Sequence, residues 1–108
     1  MNGIPEGTIS VGICETQPLV VAGLKAVLAE GTGFQLLETR SLEEAGREVI
    51  ASAPQVFILD KALGTPAISE WLTKYRDRVQ TKFVIWGPVM TEPEALRFLK
   101  FGARGIVR

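Results

Sequence analysis

The chain has no histidine and one cysteine, Cys14, in 108 residues. Without histidine there is no Ser-His-Asp triad, no Cys-His dyad and almost no zinc site. A single thiol cannot close a disulfide within the chain, and its isolation fits a reducing compartment. A surplus of either charge is also missing: 12 Lys and Arg balance 12 Asp and Glu. Gripping nucleic acid through its phosphates takes a basic excess. Direct nucleic-acid binding by this stretch is therefore not expected. No apolar run approaches the roughly 20 residues that cross a bilayer. Residues 1–8 (MNGIPEGT) lack a basic start and an apolar stretch, so they do not read as a signal peptide. They read instead as a flexible leader. The expected location is cytoplasmic, with no membrane partner.

What is present is ordinary globular composition, 46% apolar and 22% charged. The length suits one domain, large enough to bury a core without disulfides or metal.

Strand and helix patterns alternate along the chain. Residues 9–14 (ISVGIC) form a short β-branched, apolar run, as buried strands do. Residues 17–30 follow with helical spacing: Pro18 suits the first turn, and Val20, Val21, Leu24, Val27 and Leu28 make one apolar face. Gly31 and Gly33 stop it. Residues 34–39 (FQLLET) are a more polar strand, expected near a sheet edge. Ser41 and Glu44 form a capping box for a helix to about Ser52, with Leu42, Ala45, Val49 and Ile50 inward.

Residues 55–59 (QVFIL) are the most strand-like run, apolar on both faces like a central parallel strand covered by helices. Asp60 ends it, and residues 61–65 read as a loop. Thr65 caps and Pro66 starts a third helix that turns Ile68, Trp71, Leu72 and Tyr75 inward. Residues 82–86 (KFVIW) are a fourth strand, broken by Gly87 and Pro88. Thr91 and Glu94 make a second capping box, Gly102 closes that helix, and Ile106 and Val107 begin a fifth strand. Strict alternation with short connections implies an α/β parallel sheet with right-handed crossovers.

Ligands of such sheets bind beyond the carboxyl ends of the strands. Glu15 and Thr16 follow the first strand, Asp60 the third, Gly87 and Pro88 the fourth. Glu15 and Asp60 thus converge, and two carboxylates suit a hard divalent cation. The bland alternatives are a solvated loop residue or helix cap for Asp60 and a common post-strand glutamate for Glu15. Cys14 lies at the same end but has no histidine to activate it, so a small buried hydrophobe is expected. Trp71, Tyr75 and Trp86 read as core or rim aromatics. Gly31-Thr32-Gly33 follows a helix, whereas a dinucleotide fingerprint follows the first strand. Gly102-Ala103-Arg104-Gly105 lacks the Lys-Ser/Thr of a Walker loop.

Three segments together carry a resemblance: Pro18-Leu19 with Gly23-Leu24, the run Pro54-Gln55-Val56-Phe57-Ile58-Leu59-Asp60, and Gly102-Ala103-Arg104-Gly105. In this order on a five-strand alternation, residues 9–108 resemble the receiver domain of bacterial two-component response regulators. The branch with a LuxR-type helix-turn-helix tail is the most similar. The resemblance implies a flavodoxin-like, CheY-like doubly wound sheet of order 2-1-3-4-5. It also implies a fifth helix after the fifth strand, which would make 9–108 a truncated receiver. It implies phosphorylation at Asp60 by a histidine kinase, no enzyme activity of its own, and frequent homodimerisation. A DNA-binding part would lie downstream.

The same resemblance puts Glu15 at the first Mg²⁺-binding acid, Thr16 where a second acid belongs, and the Ala62 backbone carbonyl as a third ligand. Gly87 falls at the switch hydroxyl and Ile106 at the switch aromatic. Phosphoryl transfer relies on neutralising charge on the phosphate oxygens. The loss of a carboxylate at Thr16 and the extra methylene of Glu15 therefore predict a Mg²⁺ site that is weak or absent. Two readings follow: a phosphorylated receiver serving a transcription regulator, or a phosphorylation-independent pseudo-receiver acting as an interaction or dimerisation adaptor. A small flavodoxin-like ligand binder would need a phosphate loop after the first strand, which Glu15-Thr16-Gln17-Pro18 does not supply.

Overall fold

The computed structural model describes residues 8–30 and 33–108, the side chains of residues 28–30 apart. The expected leader falls almost wholly outside the described residues, as do Gly31 and Thr32. The alternation holds throughout: β1 (Ile9–Cys14), α1 (Pro18–Glu30), β2 (Phe34–Thr39), α2 (Leu42–Ser52), β3 (Val56–Asp60), a 3-10 turn (Lys61–Leu63), α3 (Thr65–Tyr75), β4 (Lys82–Trp86), α4 (Glu92–Phe101) and β5 (Gly105–Val107). The strands form one parallel sheet of order β2-β1-β3-β4-β5, with β2 at an edge.

Local signals set most boundaries. Ser41 Oγ accepts the Glu44 N–H at the start of α2, and the Thr91–Glu94 capping box is complete at the start of α4. Gly102, at φ 124°, lets the chain leave α4 in a conformation side chains resist. Ala53 ends α2 at φ 41° and takes the left-handed region without that freedom. Two expectations are corrected here. Residues 61–63 form a 3-10 turn because Asp60 accepts the Ala62 N–H and caps it. Thr65 lies inside α3, whose cap position is Gly64.

The main core fills the side of the sheet under α2, α3 and α4. Cys14, Phe57, Leu59, Phe83 and Ile85 meet Val49, Ile68, Trp71, Leu72 and Phe98 there. Trp71 anchors it, edge-on to Phe83 at 5.1 Å and beside Tyr75 at 4.8 Å between ring centroids, with its indole N–H donating to Leu42 O at 2.9 Å. Gly12 is needed on β1 because a Cβ there would stand 2.3 Å from Cδ2 of the Phe57 ring. Ile50 is largely exposed, not inward, because its position on α2 rotates past Val49 and Ala45.

The other face of the sheet is thinly covered. Ile13 is buried, but Ile58 and Val84 are half-buried and Val107 is exposed. Among the described side chains of α1 only Val21 is buried; Val20 and Leu24 are half-buried, Leu19 is 87% exposed and Val27 66% exposed. Val27 therefore leaves the expected inward face. The helix leans toward β2, where Lys25 pairs with Glu38, and turns its outer residues to solvent. The same geometry corrects the picture of β3 as covered on both sides: Phe57 and Leu59 are fully buried, Val56 and Ile58 are not.

Candidate functional site

Parallel register brings the candidate residues into one row. Cys14 pairs with Leu59, and Asp60 with Trp86. One step beyond each strand core, Glu15, Asp60 and Trp86 stand side by side at the carboxyl ends of β1, β3 and β4. Alternation along a strand puts them on the face opposite Leu59 and Ile85. A cleft of about 410 Å³ opens there, lined by Glu15, Gln17, Val20, Asp60, Lys61 and Trp86 among others.

Both acids are buried, Glu15 to 1% exposure and Asp60 to 5%. Glu15 Oε1 accepts the Gln17 N–H at 3.0 Å and Oε2 accepts the Trp86 indole N–H at 3.1 Å. Asp60 Oδ1 accepts the Ala62 N–H at 2.9 Å. The two carboxyl-bearing residues line the same cleft. Burial first, and then the Asp60 carboxyl, push the Glu15 pKa up, while its Gln17 and Trp86 bonds pull it down. No cation pairs with either acid among the described residues.

Lys61, next in sequence to Asp60, turns away from the acids. Its ammonium donates to Val89 O at 2.7 Å and Glu94 Oε1 at 2.9 Å. This strap crosses over Gly87, where a Cβ would stand 2.9 Å from Lys61 Cβ. Glu94 is held down to a pKa of about 2, chiefly by Lys61 and then by the Thr91 backbone N–H. Thr16 is exposed beside the cleft, Gly87 is buried, and Ile106 is half-buried against the core on the opposite face. Cys14 is fully buried, its thiol pushed up to about 11 chiefly by burial.

The structure thus brings Glu15 and Asp60 together, places Ala62 against Asp60, and sets Gly87 at the rim. Sequence reasoning missed Trp86 and Lys61 as parts of the site. Trp86 is the last residue of KFVIW, in register with Asp60, so strand alignment was the signal that would have placed it there. Lys61 adjoins Asp60, but nothing in the sequence shows which way it points.

The donor set does not fit a hard octahedral cation as it stands. Among the described residues no three His, Cys, Asp or Glu side chains cluster as metal ligands, and each Glu15 oxygen already accepts an N–H with which a cation would compete.

No protein-family model matches the chain, and no curated protein matches it. Solved structures do. A response regulator from Hahella chejuensis superposes with TM-score 0.83 at 22% identity, covering 93% of this chain and 79% of that one. One from Thermotoga maritima gives 0.81 at 16%, covering 93% and 83%. A DNA-binding response regulator of the LuxR family from Staphylococcus aureus gives 0.77 at 17%, covering 92% and 84%. The fold is that of response-regulator receivers. In that receiver fold, Asp60 occupies the end of the central strand and Glu15 the end of its neighbour.

Proposed function

We propose that the chain is the receiver of a bacterial two-component response regulator, accepting a phosphoryl group on Asp60 from a histidine kinase. One observation carries the reading: a buried aspartate at the carboxyl end of β3 shares a cleft with a second carboxyl from β1, in a receiver fold. The LuxR-family neighbour supports a role in transcription regulation, with the chain as signal input and no catalytic activity of its own. Mg²⁺ binding through Glu15, Asp60 and the Ala62 carbonyl is weak, because it competes with the N–H donors on Glu15. Exposed Leu19 and Val27 on α1 and Val107 on β5 support pairing as a homodimer. The location is cytoplasmic.

A second reading, a pseudo-receiver working as an interaction adaptor without phosphate, is favoured by specific departures. Thr16 supplies no second acid, Gly87 supplies no hydroxyl, and Lys61 is committed to Glu94. Incubation with acetyl phosphate and Mg²⁺ followed by mass spectrometry separates the two. A phosphate adduct on Asp60, absent in Asp60→Asn, supports the receiver. An unlabelled, folded chain supports the adaptor.

A further inference from the structure

Trp86 begins on β4, yet its indole N–H ends on Glu15 beyond β1, and β3 lies between those strands. In the row Glu15, Asp60, Trp86 the side chain therefore spans the strand end that carries Asp60. Asp60 is only 5% exposed although it ends a strand at the rim of a cleft. Both Glu15 oxygens already accept an N–H, Oε2 from the indole and Oε1 from Gln17, so a cation would compete with those donors for the same oxygens.

From this geometry we infer that Trp86 is an internal lid on the acid pair, its indole N–H standing where a cation would bind Glu15 and its ring closing the approach to Asp60. The inference rests on the receiver reading of Asp60 only for its consequence in phosphorylation; the closed cation position stands without it. The lid is held at two ends. Trp86 is fixed by the pairing of β4 with β3 and β5, and Glu15 is fixed by burial and by Gln17. Opening it costs the bond to a carboxylate and exposes the ring, and a hydrogen bond to a charged group shifts an equilibrium by about tenfold to a hundredfold.

Two measurements test this. The first uses the unaltered chain: hydrogen exchange of the Trp86 indole N–H by NMR, assigned through its NOE contacts in that chain. Exchange at least about tenfold slower than a free indole is expected, and free-indole exchange overturns the lid. The second titrates MnCl₂ into the unaltered chain and into Trp86→Phe, which keeps an aromatic ring and removes the N–H. Affinity rising about tenfold or more in the variant, and falling back in Trp86→Phe with Glu15→Gln, is expected; equal affinities overturn the proposal. If Trp86→Phe does not fold, the exchange result on the unaltered chain decides. Acetyl phosphate labelling in both proteins separates the two claims. Tighter Mn²⁺ binding with no label on Asp60 overturns the receiver reading and supports the lid. A label on Asp60 with equal Mn²⁺ affinities in the two proteins supports the receiver reading and overturns the lid.

Discussion

Gly87→Ala puts the Lys61 strap to the test. The added Cβ would stand 2.9 Å from Lys61 Cβ and 3.5 Å from its Cδ, where carbon pairs settle at about 3.5–4.0 Å. Lys61 Cβ cannot swing aside. It is one bond from a backbone pinned by the Asp60 cap on Ala62, and the far end of the side chain is held by Val89 and Glu94. Overpacking of this kind costs about 1–3 kcal/mol. Gly87 is not among the glycines with positive φ, so alanine there also stiffens the unfolded chain, offsetting about 0.4–1 kcal/mol. A net loss of about 1–2 kcal/mol is expected, and more for threonine. Urea unfolding of Gly87→Ala, Lys61→Gly and the double variant measures it as a double-mutant cycle. The coupling should be about 1 kcal/mol or more, with the Gly87→Ala penalty shrinking once Lys61 loses its Cβ. A neutral or stabilising Gly87→Ala, or a penalty unchanged in the Lys61→Gly background, would refute the steric account. The functional corollary is that restoring a hydroxyl at this position costs stability unless Lys61 is changed as well.

Four further outcomes are expected. Because folding lowers the Glu94 pKa to about 2, the Lys61–Glu94 contact stabilises the protein above the ordinary value of 4.5 and is lost as pH falls toward 2; a carboxyl ¹³C titration midpoint above about 4 contradicts it. Glu15 has the opposite sign: its pKa is raised by burial and Asp60, so ionising it opposes folding as pH rises. Glu15→Gln should therefore stabilise at about pH 8 and do less at about pH 4, and equal effects at both in denaturant unfolding count against the buried pair. Ala53→Gly relieves a left-handed alanine at the end of α2 and should add about 0.5–1 kcal/mol; a lower urea midpoint refutes it. Phe98→Ala empties a fully buried site between α4 and the sheet and should cost about 3–5 kcal/mol, read from the same unfolding curves.

The fold was legible because its signals are local. Apolar β-branched runs at 9–14, 55–59 and 82–86 leave few options but buried parallel strands, and Ser41 with Glu44 and Thr91 with Glu94 mark helix starts that the structure repeats. The ends of those strands also placed Glu15 and Asp60 at one edge, since strand polarity in a parallel sheet is common to all strands. Helix faces were less legible. Val27 and Ile50 fit an apolar stripe by spacing, yet both are exposed, because a stripe wider than its contact leaves its margins in solvent.

Sequence alone thus determined the α/β alternation, the polarity of the sheet and the identity of the paired acids, all consequences of periodicity and chain direction. Tertiary structure decided what those acids meet. The register of β4 against β3 put an indole across Asp60 and onto Glu15, and the close approach of the β3 and β4 ends sent Lys61 over Gly87 to Glu94. Those contacts join residues 71 and 33 positions apart. A spacing that long carries no periodic signal, and only the packed sheet brings such residues within hydrogen-bonding distance.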